Sequence, residues 1–211
     1  MATGVLFDLD GVIIDSESSY TEFWAAIEKR YPTGIDNFAL KIKGSTLPTI
    51  LNTYFPDSSV QEEICRMIID YEREMRYTPF PEAIRFVREL NGAGLKCAIV
   101  TSSSQKKMDN LYAQNPGFRE LFAAVVTGDM VSRSKPDPEP YLTGAKAIAT
   151  AIGDCFVFED SISGIQSGMS AGATTIALAT TLPFDEIKGK AHKTITGFAG
   201  FHIPDMLSAR K

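Results

Sequence analysis

The pattern of apolar and polar positions changes character along the chain. Val5, Leu6 and Phe7 form a short unbroken apolar run that Gly11 ends, which predicts a buried strand over residues 4–9. Tyr20, Phe23, Trp24, Ile27 and Tyr31 then recur at helical spacing. They predict an amphipathic helix over residues 16–30, with Asp15 or Ser16 as N-cap and Ser19 with Glu22 as a capping box. Tyr31-Pro32-Thr33-Gly34 ends it, and residues 35–43 are weakly patterned. A second helix is predicted from Ser45 or Thr46, with Pro48 in its first turn, to just before Pro56. Ser59 with Glu62 reads as another capping box, and Val60, Ile64, Met67, Ile68, Tyr71 and Met75 carry a third helix to about residue 76. Residues 16–77 thus predict helices and no strand.

From residue 79 the pattern alternates. Pro81 opens a helix carrying Ala83, Ile84, Val87 and Leu90, which Gly92 and Gly94 end. Strands are predicted over residues 95–100, 123–127, 155–158 and 173–179, with a short last one near 193–196. Helices fall between them, through Met108, Leu111 and Tyr112, over residues 138–152 and over residues 164–171. Nearly continuous apolar strands alternating with helices indicate a doubly wound α/β fold, a parallel sheet covered on both faces. The predicted division is an α/β core made of residues 1–15 and 78–211, with residues 16–77 inserted as a helical cap. Both ends of the insert return to the tip of the first strand, so it is expected to sit above that tip as a lid.

The chain has 211 residues, enough to bury roughly 70% of its unfolded surface without staples. Its net charge of −5 argues against broad binding to nucleic acid or anionic membrane, while leaving room for anionic substrates if a metal and a lysine reverse the sign locally. Cys65, Cys97 and Cys155 are odd in number and far apart, as expected of free thiols in a reducing compartment. His192 and His202 come too late, and are too few, for a zinc cluster or a Ser-His-Asp triad. No signal peptide is expected, because the first apolar run is short and leads into acids, and no run approaches the ~20 apolar residues of a membrane span. A cytoplasmic protein, monomeric by default, is the expectation.

In an open parallel sheet, ligands bind outside the carboxyl ends of the strands. Polar residues collect there. The first strand ends in Asp8-Leu9-Asp10-Gly11, the second in Thr101-Ser102-Ser103-Ser104, and the strand ending at Phe158 runs into Glu159-Asp160-Ser161. Between them lies Ser134-Lys135-Pro136-Asp137-Pro138, a stiff loop with one lysine. Each piece has a plain structural reading: a solvated turn, a helix N-cap, a surface charge, acids complementing a helix dipole. Together they are harder to dismiss. Four carboxylates at neighbouring strand tips need a cation, and their oxygens are ligands of the kind Mg²⁺ prefers. A hydroxyl beside helix-starting N–H groups binds phosphate oxygens, and a lysine adds a compact positive charge. The combination describes metal-assisted phosphoryl transfer.

The order of these motifs resembles the haloacid dehalogenase superfamily, in the branch of β-phosphoglucomutase and small-molecule phosphatases. The first motif matches at Asp8-Leu9-Asp10-Gly11-Val12 and continues as Ile13-Ile14-Asp15-Ser16-Glu17. The second matches at Thr101, the third at Ser134-Lys135-Pro136-Asp137-Pro138, and the fourth at Phe158-Glu159-Asp160-Ser161 with Gly164-Ile165 following. The resemblance implies a Rossmann-like core, Mg²⁺, and a cap that closes on a small phosphorylated metabolite. It implies Asp8 as the nucleophile that carries an aspartyl-phosphate, and Asp10 as the acid and then base, with its main-chain carbonyl on the metal. It further implies Thr101 and the N–H of Ser102 as phosphate ligands, Lys135 as the counter-charge, and Glu159 and Asp160 as the rest of the metal site.

Other readings fit less well. A true dehalogenase needs neither the second aspartate nor a metal. A phosphorylatable receiver module carries its aspartate mid-chain and has no cap. A binding protein without catalysis would be expected to have lost a catalytic position, and none is lost. The closest contest is with a phosphosugar mutase, whose cap pattern carries an arginine after a Lys-Gly pair. Here Lys43-Gly44-Ser45 is present, but Leu47 stands where the arginine is expected, with Lys41 and Lys43 as other cations nearby. A phosphatase on a small phosphomonoester, a sugar phosphate among the options, is therefore favoured, with the mutase as the alternative. Lys43, Gly44 and Ser45 are the candidate substrate contacts from the cap.

Overall fold

The computed structural model describes residues 3–210. In chain order its elements are β1 (Gly4–Phe7), β2 (Ile14–Asp15), α1 (Glu17–Arg30), α2 (Phe38–Lys41), α3 (Leu47–Tyr54), α4 (Ser58–Glu74) and β3 (Thr78–Pro79). Then come α5 (Pro81–Gly92), β4 (Lys96–Val100), α6 (Gln105–Gln114), β5 (Ala124–Val126), α7 (Glu139–Ala147), β6 (Cys155–Glu159), α8 (Ile162–Ala171), β7 (Thr174–Leu178), α9 (Phe184–Ile187), β8 (Lys193–Ile195) and α10 (Ile203–Leu207). Six strands form one sheet in the order β5-β4-β1-β6-β7-β8, every neighbouring pair parallel. The order reverses direction at β1, so the crevice of a doubly wound sheet opens between the tips of β4, β1 and β6.

Alternation along the strands explains the two layers. Val5, Phe7, Cys97, Ile99, Phe156 and Phe158 face one side and pack against α5, α6 and α10. Leu6, Ala98, Val100 and Val157 face the other and pack against α7 and α8. Phe7 sits at the centre of the first layer, stacked on Phe158 with ring centroids 5.0 Å apart and edge-on to Phe86 and Phe122. Cys97 and Cys155 are buried free thiols, and burial pushes them up to about 12 and about 11.

Helices α1 to α4 have a hydrophobic cluster of their own, built from Phe23, Trp24, Ile27, Phe38, Ile64 and neighbours. The cap joins the core through a feature that the apolar pattern does not announce. β2 and β3, two residues each, pair antiparallel as Ile14↔Pro79 and Asp15↔Thr78, so the two connecting strands form one ribbon.

The structure corrects several local expectations. Asp15 lies in β2 rather than capping a helix. α1 begins at Glu17, which leaves Ser19 inside the helix and dissolves its capping box with Glu22. Ser16 is the N-cap residue, yet its side chain makes no cap bond, because it donates to Asp10 instead. α4 is capped by Asp57, whose carboxylate accepts from the Ser59 N–H at 2.8 Å, not by a Ser59–Glu62 box. The weakly patterned stretch contains the short helix α2. α7 stops at Ala147, short of the expected residue 152.

Removing the Phe7 ring leaves a large void among Phe86, Phe122 and Phe158. Phe7→Ala is expected to cost about 3–5 kcal/mol, read as a lower midpoint in urea unfolding followed by circular dichroism.

Candidate active site

Lys135 binds the crevice together. It sits in the loop before α7, 1% exposed. Its ammonium donates to Asp8 Oδ1 at 2.5 Å, to Glu159 Oε1 at 2.7 Å and to the carbonyl of Val100 at 3.1 Å. All three of its donors are used, and they tie the tips of β1, β6 and β4 to one point. Burial works to lower the lysine's pKa, but Asp8 and Glu159 outweigh it and hold it raised, so it stays charged.

Glu159 is buried and saturated. Oε1 also accepts from the Tyr141 hydroxyl at 2.9 Å, and Oε2 accepts from the N–H groups of Asp160 and Ser161 and from Ser161 Oγ. Gly164 in α8 lies against this carboxylate, and a Cβ there would overlap it. Asp160 accepts from the Thr181 hydroxyl.

Asp8, Glu159 and Asp160 bring carboxylate oxygens within 4.8 Å of one another. Of these three carboxylates Lys135 pairs directly with Asp8 and Glu159, and Lys43 acts on Asp160 through space, so full ionisation leaves excess negative charge in a buried place. Burial pushes Asp8 up to about 7, with Glu159 and Asp10 adding to it against the pull of Lys135. Burial, then Glu159 and Asp8, push Asp160 well above the usual carboxylate range. An all-oxygen donor set with excess negative charge fits a divalent cation such as Mg²⁺. Asp8 and Asp160 are the carboxylates open to it, since Glu159 would have to give up a donor.

The hydroxyl run after β4 divides its work. Thr101 is buried, and its Oγ1 accepts from the Ser103 N–H at 3.0 Å, a bond that leaves its own O–H proton unused. Ser102 Oγ donates to the carbonyl of Gly44 in the cap at 2.7 Å. Ser103 Oγ donates to Asp10 Oδ2 at 2.9 Å. Ser104 is the N-cap of α6 and accepts from the Lys107 N–H.

Asp10 stands apart from the carboxylate cluster. Its Oδ1 accepts from Lys107 Nζ at 2.5 Å and from Ser16 Oγ. Burial works to raise its pKa, but Lys107, Ser16 and Ser103 outweigh it and hold the carboxyl below its usual range. Lys107 is 1% exposed and lies 4.4 Å from the centroid of the Tyr20 ring. The Tyr20 hydroxyl donates to Glu72 Oε1 at 2.7 Å, so this chain of groups runs from the acid into α1 and α4 of the cap. Sequence reasoning missed Lys107, Tyr20, Glu72 and Tyr141. One signal was available for Lys107: two successive lysines in the first turn of a helix oppose its dipole, and such a conflict asks for a local partner.

The cap residues expected to meet substrate are brought to the site. Gly44 has φ of +80°, and a Cβ there would overlap the Ser163 hydroxyl. Its carbonyl takes the bond from Ser102, while Ser163 donates to the carbonyl of Lys43 at 2.5 Å. Lys43, Gly44 and Ser45 line a cavity of about 410 Å³ between cap and core, together with Asp8, Asp10 and Thr101.

A family model described as haloacid dehalogenase-like hydrolase matches residues 5–178. Hexitol phosphatase A of Escherichia coli (strain K12) is 33% identical over 185 residues, which cover 83% of this chain and 82% of that protein. The bifunctional riboflavin kinase/FMN phosphatase of Arabidopsis thaliana is 29% identical over 184 residues, or 84% of this chain and 48% of that protein, so the chain spans about half the length of that relative. The crystal structure of a HAD hydrolase, family IA, variant 3, from Entamoeba histolytica superposes with a TM-score of 0.80 at 26% identity, covering 99% of both chains.

A raised carboxylate makes the metal linkage measurable without turnover. Asp8 binds its proton more tightly folded than unfolded, so its share of stability is lost as pH rises from its ordinary 3.8 through about 7. A divalent cation binds the ionised carboxylates and offsets that loss. Mg²⁺ added to chelator-treated protein is therefore expected to raise the melting temperature more at pH 8 than at pH 5. Thermal melts at the two pH values check this, and an equal rise at both would break the link.

Proposed function

Because the chain belongs to the haloacid dehalogenase-like hydrolase family, we propose that it is a Mg²⁺-dependent phosphatase that frees phosphate from a small phosphomonoester through an aspartyl-phosphate on Asp8. The observation that carries this reading is the buried, net-negative group of Asp8, Lys135, Glu159 and Asp160, opening on a cavity that also holds Thr101 and Asp10. The two phosphatase relatives are named for a hexitol and for a flavin nucleotide, so the phosphate monoester is what they share.

In this mechanism the Asp8 carboxylate attacks phosphorus and the bond to the substrate's ester oxygen breaks. Asp10 gives a proton to that departing oxygen. Water then attacks the same phosphorus, Asp10 takes its proton, and the bond from phosphorus to Asp8 breaks to return the carboxylate. The Thr101 hydroxyl and the Ser102 N–H hold the equatorial phosphoryl oxygens, and Lys135 opposes their charge. Lys135 has no spare donor, so it acts by charge while keeping Asp8 and Glu159 in place.

Mg²⁺ would supply charge neutralisation and polarise the phosphoryl oxygens; Asp8, Asp160 and the main-chain carbonyl of Asp10 would hold it, with Glu159 bracing them. The bonds from Lys107, Ser16 and Ser103 suit the proton-accepting form of Asp10. Donating a proton requires Asp10 to exchange these partners for the substrate oxygen.

Leu47 lines the cavity at the position where the mutase pattern expects an arginine. An apolar side chain there gives no grip on a second phosphate, which supports transfer to water over return to a sugar.

Asp8→Asn is expected to abolish phosphate release from an aryl phosphate, and excess chelator to do the same to the unmodified protein. Asp10→Asn is expected to lower kcat about 10²–10⁴-fold for alkyl phosphates and less for aryl phosphates, whose leaving oxygen needs no proton. Steady-state phosphate release measures all three, and equal losses for both leaving groups would remove Asp10 from the acid's role.

A further inference from the structure

The cavity has two unlike halves. Its core side is polar: Asp8, Asp10, Thr101, Ser102, Ser103 and Asp160. Its cap side is lined by Trp24, Ile42, Leu47, Ile50, Ile68 and Ile69. Trp24, Ile42, Ile50 and Ile68 are 3–7% exposed and belong to the hydrophobic cluster of the cap, so the cavity reaches that cluster's edge.

Thr21 and Glu72 add a hydroxyl and a carboxylate to the cap side, beside this apolar wall. The Tyr20 hydroxyl is spent on Glu72. Lys43 interacts with Asp160 and Asp10, which places its charge on the phosphate side, and Gly44 and Ser45 follow it where the cap meets the core. A phosphomonoester seated with its phosphoryl group on Asp8 therefore directs its alcohol portion toward a tryptophan and branched aliphatic side chains. Against that wall a polyol would surrender the water on several hydroxyls, more than Thr21 and Glu72 can satisfy, whereas a hydrocarbon would gain from burial.

We propose that the substrate body is apolar: the site takes phosphomonoesters of alkyl or aryl alcohols in preference to sugar and polyol phosphates. This rests on the phosphomonoesterase reading above and adds a substrate class to it. A hydrophobic wall discriminates against one added hydroxyl by roughly 10²-fold at most, and a polyol chain presents several.

The test compares hexan-1-yl phosphate with a hexitol 1-phosphate, which share carbon number and a primary leaving oxygen, in phosphate release with Mg²⁺. Hexylphosphonate and methylphosphonate, neither of which can be hydrolysed, are compared in parallel by calorimetry. Hexan-1-yl phosphate is expected to exceed the hexitol ester at least ~10²-fold in kcat/KM, and hexylphosphonate to bind at least ~10-fold more tightly than methylphosphonate. Ile68→Ser, checked for folding by its melting curve, is expected to shrink both ratios. Equal or better turnover of the hexitol ester, or no gain from the hexyl chain in binding, overturns the proposal. If hexylphosphonate binds more tightly while no ester is hydrolysed, the phosphatase reading fails and the assignment of an apolar body stands.

Discussion

The buried ammonium of Lys135 is the interaction on which the site depends. A lysine this deep is tolerated only because acceptors meet each of its donors, and here the acceptors come from three strands. The same contact that satisfies the lysine aims Asp8 and fastens Glu159. Glu159 in turn takes the N–H groups that open the turn into α8, which sets Asp160 and Ser161. Gly164 leaves the space for it. The result is an anionic cluster that Lys135 does not balance, an oxygen donor set of the kind that suits a divalent cation.

Much of this was legible in the residues. Unbroken apolar strands separated by helices foretold a parallel sheet, and in such a sheet the residues after each strand share one edge. Asp8, Asp10, Thr101, Lys135, Glu159 and Asp160 could thus be grouped without coordinates. What the sequence hid was whatever depends on side chains crossing between elements. Ser16 looked like a helix cap and instead serves Asp10: its hydroxyl donates a charge-assisted bond to a carboxylate six positions back and accepts none from the helix N–H groups. Lys107 drew no notice in the sequence, and only the packing of α1 and α4 over it shows that it is buried. The β2–β3 ribbon was invisible because two residues per strand carry no period.

The two halves of the cavity follow from two different constraints. The core half is dictated by phosphate and its charge, which leave little freedom in residue type. The cap half needs only to fold, and α1 to α4 fold by burying Trp24, Phe38 and Ile64 among themselves. Side chains at the margin of that cluster serve as both cap interior and cavity wall. The cavity wall and the cap interior consequently share some of the same residues, Ile50 and Ile68 among them.

The short ribbon that joins cap to core has an architectural consequence. Because Ile14 pairs with Pro79 and Asp15 with Thr78, the inserted segment leaves and re-enters the core at a single hydrogen-bonded neck. Everything beyond that neck behaves as a cassette whose ends are already held together. Such a cassette can be exchanged for another of different length or packing without disturbing the register of the sheet beneath. One catalytic base plate can in this way accept many recognition modules, with inheritance of the chemistry separated from inheritance of the specificity.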